Sequence, residues 1–278
     1  MKYADLHIHS TASDGSWTPW EVVKIAEEKG FSCIALADHD TVDGIEEALE
    51  AGFERGVEVI PAVEFSTLYD GGEVHILGYC IDRNNQNLRA ELKKVSDARY
   101  NRGKGMVQKL QNLGIDISWE EVQQIAKGGS VGRPHIARAL LEKGYIESIG
   151  DAFNGEYIGN GGKAYVERYE MPPERAIQIT KAAGGIPVLA HPGFFKKTSR
   201  LGKQDITCLV EQGVQGIEVW HTKHTKDDTR YYKDIALEME LLLTGGSDCH
   251  GGNGNAILMG QIKLPYAYVE RLLAACSK

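Results

Sequence analysis

Strand-like and helix-like segments alternate along the start of the chain, and this alternation restricts it to a few folds. The strand pattern "YADLHI" precedes a helix in which Thr18 is the N-cap, Pro19 the first helical residue and Glu21 the partner in a capping box. Three more strand patterns follow, "CIALAD", "VEVIPAVEFS" and "EVHILGYCI". Such βα repetition predicts a parallel sheet or barrel with catalytic residues at the carboxyl ends of the strands.

Helix patterns replace strand patterns in the middle of the chain. A long helix is predicted from Leu88 to Leu113, and the segment "RPHIARALLEKG" has the apolar periodicity of another. Ser118 and Glu121 form a second capping box. The βα alternation then resumes. We therefore predict a discontinuous barrel domain, residues 1–86 and 172–278, with a helical insertion at 87–171.

Most histidines follow predicted strands in the company of carboxylates. His7 and His9 are two residues apart, so an extended strand directs both side chains to the same face. In a βα-barrel every strand delivers its carboxyl end to one mouth, where residues distant in sequence converge. The candidate metal ligands are His7, His9, Asp14, His39, Glu64, His75, His191, Asp248 and His250.

The number and type of these residues indicate more than one ion. A catalytic zinc usually takes three protein ligands, so the nitrogen and oxygen donors predict two or three ions. Imidazole mixed with carboxylate suits manganese, iron or zinc. Cys249 lies between two candidates, but its side chain would face the opposite way in an extended segment.

Composition excludes several other classes. The formal charge is −8, from 31 basic and 39 acidic residues, which disfavours a surface that coats nucleic acid. The five scattered cysteines include no C-x-x-C pair, so we expect reduced thiols and no structural zinc. An apolar signal segment and membrane-spanning runs are absent from the sequence, which predicts a soluble cytoplasmic protein without a membrane partner.

The strand-end motifs together resemble the polymerase and histidinol phosphatase (PHP) family of metal-dependent phosphoesterases. The matching pieces are "DLHIHS", "ALADHDT", "EFS" with "EVHILGY", "LAHPG" and "GGSDCHG", in the family's order. The chain looks most like the subgroup that removes phosphate from nucleotides and short RNA ends, whose helical insertion contains "GRPHIA". The resemblance implies a distorted (β/α)7 barrel with the insertion covering the active site.

Three divalent ions, Mn, Fe or Zn, are implied by the same resemblance. His7 and His9 would hold the first with Glu64 and Asp248. Glu64 would bridge to a second ion held by His75 and His191, and the third would be held by Asp14, His39 and His250. Asp5, Asp38 and Asp40 are expected to orient imidazoles through their second nitrogen.

Hydrolysis of nucleotide phosphate monoesters by metal-hydroxide attack is the implied reaction. The expected substrates are nucleoside monophosphates such as AMP, 3',5'-bisphosphates or the 5' ends of short RNA, with no obligate protein partner. Arg133 and His135 are the candidate phosphate-binding residues, since a guanidinium holds two phosphate oxygens at once. His221 and His224 would contact phosphate or protonate the leaving oxygen; as an alternative, both are solvent-facing loop residues.

Three rival functions remain open. An amidohydrolase also uses His-x-His on a barrel, but it commonly bridges its metals through a modified lysine, and a predicted strand end here carries Glu64 instead. Histidinol-phosphate phosphatase is a PHP activity with related ligands, and the insertion with "GRPH" disfavours it. A non-catalytic PHP module is the third, and the full ligand set disfavours that.

Overall fold

The strands form one sheet that curls into a nearly closed barrel. Along the chain, its first strand is Tyr3–Ile8 and its seventh is Leu242–Gly246. The structure, a computed structural model, describes residues 2–126, 131–195, 200–252 and 257–277. Within these ranges the strands are β1 (Tyr3–Ile8), β2 (Cys33–Leu36), β3 (Glu58–Tyr69), β4 (Gly72–Tyr79), β5 (Ile186–Leu189), β6 (Gly216–His221), β7 (Leu242–Gly246) and β8 (Leu264–Pro265). Their order in the sheet is β7-β6-β5-β4-β3-β2-β1-β8.

Backbone hydrogen bonds join the end of β1 to the residues that follow β7. The N–H of Asp248 donates to the carbonyl of His7 at 2.9 Å, and the N–H of His9 donates to the carbonyl of Cys249 at 3.0 Å. Gly246 permits this approach, because a Cβ at that position would lie 2.3 Å from the Cβ of His7. The α/β barrel predicted from the sequence is confirmed.

The turn between β3 and β4 introduces an antiparallel strand, which the βα pattern of the sequence did not indicate. β4 pairs antiparallel with both β3 and β5, whereas β1 to β3 and β5 to β7 pair in parallel. Only Asp70 and Gly71 connect Tyr69 to its partner Gly72, and both have left-handed φ angles, 45° and 73°. A two-residue connection of this kind forms a hairpin, since a parallel crossover needs about a dozen residues.

The helices within the described residues are α1 (Pro19–Glu28), α2 (Ile45–Arg55), α3 (Gln86–Asn112), α4 (Trp119–Ile125), α5 (Arg133–Glu142), α6 (Pro173–Ala182), α7 (Lys203–Gln212), α8 (Lys226–Glu238) and α9 (Tyr266–Cys276). The predicted start of α1 is confirmed. The hydroxyl of Thr18 accepts from the N–H of Glu21 at 3.2 Å, and the Glu21 carboxylate accepts from the N–H of Thr18 at 2.9 Å. In the described residues, the helices are too short or too polar to cross a membrane.

The chain divides into two compact units. The barrel unit contains residues 1–90 and 170–278, and the helical unit contains 91–169. The helical unit has an apolar core of its own, which includes Met106, Leu110, Trp119 and Leu140. The predicted capping box at the start of α4 is confirmed, with Ser118 and Glu121 as its partners.

Apolar side chains fill the interior of the barrel. Leu6, Ala35 and Leu77 belong to one buried cluster, and Leu272 of α9 packs into the same cluster. A disulfide between Cys80, which follows β4, and Cys276 at the end of α9 fastens this helix. The expectation of reduced thiols is therefore wrong for this pair. The two cysteines are separated by 196 residues, and sequence spacing carries no signal for such a pairing.

Candidate metal centre

Side chains at the strand ends converge on one carboxylate, that of Glu64 in β3. Glu64 is fully buried, and five imidazole nitrogens lie around its two oxygens. The distances are 3.1 Å from Oε2 to His7 Nε2, 3.3 Å from Oε2 to His9 Nε2, 3.1 Å from Oε2 to His39 Nδ1, 2.7 Å from Oε1 to His75 Nδ1 and 2.9 Å from Oε1 to His191 Nε2.

The first set of converging ligands, called the inner group here, consists of His7, His9, Glu64 and Asp248. Their ligand atoms all lie within 4.8 Å of one another, and all four residues are buried. Asp248 Oδ1 is 3.2 Å from His9 Nε2 and 3.8 Å from His7 Nε2. The left-handed φ of 54° at Asp248 turns the chain directly after β7. This arrangement can surround one cation with two nitrogens and two oxygens.

A second set, called the outer group, consists of His9, Asp14, His39 and His250. Its ligand atoms also lie within 4.8 Å of one another. His250 Nε2 is 3.2 Å from Asp14 Oδ1, and these side chains are 35% and 52% exposed. His9 belongs to both groups and has two nitrogens, with Nδ1 4.0 Å from Asp14 Oδ1 and Nε2 on the inner side.

A third set contains His39, Glu64 and His75, again within 4.8 Å. His191, which the resemblance pairs with His75, reaches the same Glu64 oxygen as His75 does. The structure thus brings all nine predicted ligands into one connected cluster, with His39 adjacent to both Asp14 and Glu64. Their roles as metal ligands stay a prediction.

Buried ring nitrogens without hydrogen-bond partners provide a test of whether a cation fits here. His7 Nε2, both nitrogens of His9, His39 Nδ1 and Glu64 Oε2 are buried and form no hydrogen bond with the described residues. A buried polar atom without a partner is costly, because it loses its bonds to water. These atoms face one another at about 3 to 4 Å, and a set of nitrogen and oxygen donors suits a divalent cation.

Charge interactions shift the pKa values of these groups in opposite directions. Burial raises the pKa of Glu64, but the imidazoles of His39, His7 and His75 outweigh it and hold the pKa well below the usual range. Burial lowers the pKa of His9, whereas its contacts with Asp248 and Glu64 raise it to about 10. Protons therefore compete with cations for the nitrogens of the inner group.

Two members of the outer group, Asp14 and His39, have less proton competition. Burial lowers the pKa of His39 to about 3, although Glu64 opposes this shift. The pKa of Asp14 is lowered because its contact with His250 and the charges of His39 and His9 outweigh burial. At neutral pH Asp14 is therefore a carboxylate and His39 a neutral imidazole with a lone pair on one nitrogen, the forms that bind cations.

Among the described residues, Asp5 and Asp38 bond backbone and serine groups rather than imidazoles, contrary to expectation. Asp5 Oδ1 accepts from the backbone N–H of Ser247 at 2.8 Å, and burial raises the pKa of this carboxyl to about 6. Asp38 accepts from the N–H and hydroxyl of Ser10, each at 2.7 Å, and from the hydroxyl of Ser13 at 2.5 Å. Both carboxylates fix the backbone that carries the ligands. For Asp40, Oδ1 accepts from the backbone N–H of Ser66 at 3.0 Å.

Sequence reasoning missed Glu218, which has the imidazole contact that was expected of those acids. This buried residue of β6 lies 3.0 Å from His7 Nδ1 through Oε1. Burial raises its pKa, but the charges of His7, His221 and His191 outweigh burial and lower it. The available signal was one acid inside the apolar strand pattern "GIEVWH".

The two remaining histidines differ in what their nitrogens contact. His221 is buried, its Nδ1 accepts from the N–H of Lys223 at 3.2 Å, and its Nε2 is 3.5 Å from Asp248 Oδ2. His224 has both nitrogens bonded to backbone, to the carbonyl of Val219 at 2.9 Å and to the N–H of Gly193 at 3.1 Å. Of the pair, His221 is thus the one that adjoins the ligands. Its role stays a prediction, and the bonds of His224 weigh against a proton-transfer role there.

Lys223 is a second residue that the sequence interpretation passed over. Its Nζ lies 3.1 Å from Asp248 Oδ2 and 4.9 Å from the ring centre of Phe194. The lysine side chain is about half exposed, as is Phe194. The ammonium group of Lys223 therefore lies at the exposed side of the cluster. In the sequence, Lys223 stands between the two histidines of "WHTKHT".

Arg133 and His135 lie in the helical unit, at the first turn of α5. Arg133 Nη1 donates to Asn160 Oδ1 at 3.1 Å, and its guanidinium lies 5.5 Å from the ring centre of Phe153. His135 Nδ1 accepts from the N–H of Gly132 at 3.0 Å. Their proposed role in binding phosphate stays a prediction.

Comparison with known proteins gives consistent matches across the chain. A family model described as PHP domain matches residues 5–179. A 5'-3' exoribonuclease of Haemophilus influenzae is 36% identical over 249 residues, 90% of this chain and 90% of that protein. A 3',5'-nucleoside bisphosphate phosphatase of Chromobacterium violaceum is 33% identical over 251 residues, 90% and 88% of the two chains. The solved structure of a Bifidobacterium adolescentis protein described as a metal-dependent phosphoesterase has a TM-score of 0.84 and 31% identity, covering 98% of this chain and 96% of that one.

Proposed function

The chain belongs to the PHP family, and from this premise we propose that it removes phosphate from nucleotides at a centre of three divalent ions. The chain is a metal-dependent hydrolase of phosphoester bonds. The proposed substrates are nucleoside monophosphates, 3',5'-bisphosphates and the 5' ends of short RNA. The relatives named as exoribonuclease and bisphosphate phosphatase support this choice, since both names describe phosphorylated nucleotides.

The observation that carries the proposal is the position of Glu64 between two sets of imidazoles. His7 and His9 approach Oε2, while His75 and His191 approach Oε1. A carboxylate with nitrogen donors on each oxygen is suited to bridge two cations. The outer group, with Asp14 and His250, offers donors for a third.

Divalent ions held by these groups would lower the pKa of a bound water and neutralise charge on the phosphoryl oxygens. The protein's own side chains have distinct tasks in this proposal. The half-exposed Asp14 and Lys223 mark the side from which substrate enters, because the inner group is buried. The ammonium of Lys223 attracts the phosphate, and the buried His221 donates a proton to the leaving oxygen.

A substrate screen in the presence of Mn²⁺ tests this function. We expect phosphate release from AMP, adenosine 3',5'-bisphosphate and short 5'-phosphorylated RNA, and little from histidinol phosphate. Preferential hydrolysis of histidinol phosphate would overturn the proposed substrate class in favour of the other PHP activity. A purified protein that binds no Mn²⁺ and releases no phosphate would instead indicate a non-catalytic PHP module.

A further inference from the structure

Glu218 is a fully buried acid in the middle of β6, flanked in sequence by Ile217 and Val219, which are also buried. Burying a carboxylate is costly unless its oxygens accept hydrogen bonds. Oε1 lies 3.0 Å from His7 Nδ1, and Oε2 accepts from the backbone N–H of His191 at 2.8 Å. Each oxygen therefore has one donor, and each donor belongs to a different candidate metal ligand.

The contact with His7 determines which ring nitrogen carries the proton. A carboxylate only accepts, so His7 Nδ1 must donate. In the neutral ring, this leaves the lone pair on Nε2, which lies 3.1 Å from Glu64 Oε2 and has no hydrogen bond to the described residues. The bond to Glu218 thus presents His7 in the tautomer that binds a cation through Nε2.

The contact with His191 acts on the backbone. His191 has a left-handed φ of 25°, a conformation that L-residues rarely adopt. Its N–H is held by Glu218, and its Nε2 reaches Glu64 Oε1 at 2.9 Å. The rings of His7 and His191 are stacked, with centres 5.7 Å apart. Glu218 therefore supports the two histidines that approach opposite oxygens of Glu64.

We propose that Glu218 is the positioning residue that aligns the ligands of two neighbouring ions, His7 for one and His191 for the other. The inference rests on the proposed metal centre. A direct ligand role is the competing assignment, since Glu218, His7 and His221 also have ligand atoms within 4.8 Å of one another. Both Glu218 oxygens already accept N–H groups, which favours the positioning role.

Glu218→Gln tests the alignment with almost no change in volume. A glutamine has one acceptor oxygen and one NH2 group. If the oxygen stays with His191, the NH2 faces His7 Nδ1, which must then accept, and the ring proton moves to Nε2. The opposite orientation places two donors together at His191. Either arrangement loses one of the two hydrogen bonds that Glu218 accepts, from His7 Nδ1 or from the backbone N–H of His191.

Mn²⁺ binding to the full-length protein, followed by the electron paramagnetic resonance of free Mn²⁺, is the readout. We expect Glu218→Gln to fold, to bind as many ions as the wild type at saturation, and to weaken the tightest sites by about tenfold to a hundredfold. Excess Mn²⁺ should restore part of the turnover. Glu218→Asp keeps the charge but is one methylene shorter, so we expect a smaller loss of affinity.

Thr180→Val is the matched control, because Thr180 is also buried and its hydroxyl donates to the carbonyl of Ala176 within α6. It should leave Mn²⁺ affinity unchanged. Wild-type affinity in a folded Glu218→Gln, or permanent loss of one ion at saturation, would overturn the positioning role. If Glu218→Gln does not fold, the same criteria apply to Glu218→Asp. Failure of both to fold while Thr180→Val folds would assign Glu218 a purely structural role.

This experiment separates the inference from the proposed function. Weakened Mn²⁺ binding in Glu218→Gln, together with a wild type that hydrolyses no nucleotide, would support Glu218 as a positioning residue and overturn the substrate proposal. Wild-type phosphatase activity with unchanged Mn²⁺ affinity in the variant would do the reverse.

Discussion

The inner and outer groups use the same kinds of ligand in different surroundings. All four inner residues are buried, and carboxylates behind them hold the ring of His7 and the backbone after β7. In the outer group, the side chains of Asp14 and His250 are 52% and 35% exposed. His9 belongs to both groups, so the difference in exposure arises from the other ligands of each group.

Because of this contrast in exposure, the two groups should differ in their affinity for a cation and in the access of substrate to that cation. Buried ligands that are already held in place lose little freedom on binding a cation, so the inner group should bind its ion tightly. Partly exposed ligands exchange with water and reach substrate. We therefore expect the outer ion to be the weaker one and the one most accessible to a phosphate.

Removing an inner ligand should have the largest effect. Asp248→Ala is expected to reduce phosphate release to background, because it deletes a buried ligand and the partner of Lys223 and His221. The chain should still fold, since Asp248 is in a loop after β7. Initial rates in saturating Mn²⁺ with a thermal melt measure both properties.

The matched control for that variant is Asp227→Ala in α8, where the side chain is 83% exposed and pairs only weakly with Arg230 at 3.7 Å. It should behave as the wild type. Near-normal turnover of Asp248→Ala in saturating Mn²⁺ would contradict the assignment of the inner group.

Removing an outer ligand should have a smaller and partly reversible effect. Asp14→Ala is expected to weaken the last Mn²⁺ to bind by at least about tenfold while the tightest sites keep their affinity. Activity should then depend on Mn²⁺ concentration and recover in part when Mn²⁺ is raised. Equal weakening of all sites would show that the two groups do not act separately.

The two groups should also differ in pH dependence. Burial lowers the pKa of His7, but Glu218 and Glu64 outweigh it and raise the value well above normal; His9 is raised to about 10. Below these values a proton occupies the nitrogen lone pair, so inner-site affinity should rise with pH from 6 to 9, by up to about tenfold per unit for each proton released.

Asp14 and His39, which the outer group does not share with the inner group, have lowered pKa values and neither gain nor lose a proton in that range, so the outer ion should follow pH less steeply. Mn²⁺ titrations at each pH, with proton release measured in weak buffer, test the difference. Identical slopes for tight and weak sites would contradict it.

The smallest effect on metal binding is expected from a residue outside both groups. Arg133→Ala should raise KM by about tenfold, the equivalent of one charge-assisted hydrogen bond, without changing Mn²⁺ affinity at either group. Arg138→Ala on the same helix is the control, since that side chain is 56% exposed beside Glu142. An unchanged KM for Arg133→Ala would remove its proposed role.

The strand-end positions of the candidate ligands were predictable from the sequence because local rules govern them. His7 and His9 share a face through strand alternation, and the capping box at Thr18 marks where α1 begins. Parallel strands then bring their ends together, so the gathering around Glu64 follows from the βα pattern.

Features that depend on distant partners were not predictable in this way. In the sequence, Glu218 is a single acid within an apolar strand pattern, and nothing in that pattern indicates its bond to His7, which is 211 residues away. The Cys80–Cys276 disulfide spans 196 residues. Asp5 and Asp38 were expected to orient imidazoles, but they bond backbone and serine groups that sequence adjacency to histidine did not indicate. The hairpin after Tyr69 was missed, although Asp70–Gly71 carried the turn signal.

The central claim is that Glu64 lies between cations, and anomalous diffraction from crystals grown with Mn²⁺ tests it most directly. At low Mn²⁺ we predict peaks on both sides of the Glu64 carboxylate, with a further peak between Asp14 and His250 as the concentration rises. A protein whose phosphatase activity requires Mn²⁺, but whose crystals show no anomalous peak in contact with Glu64, would contradict the account.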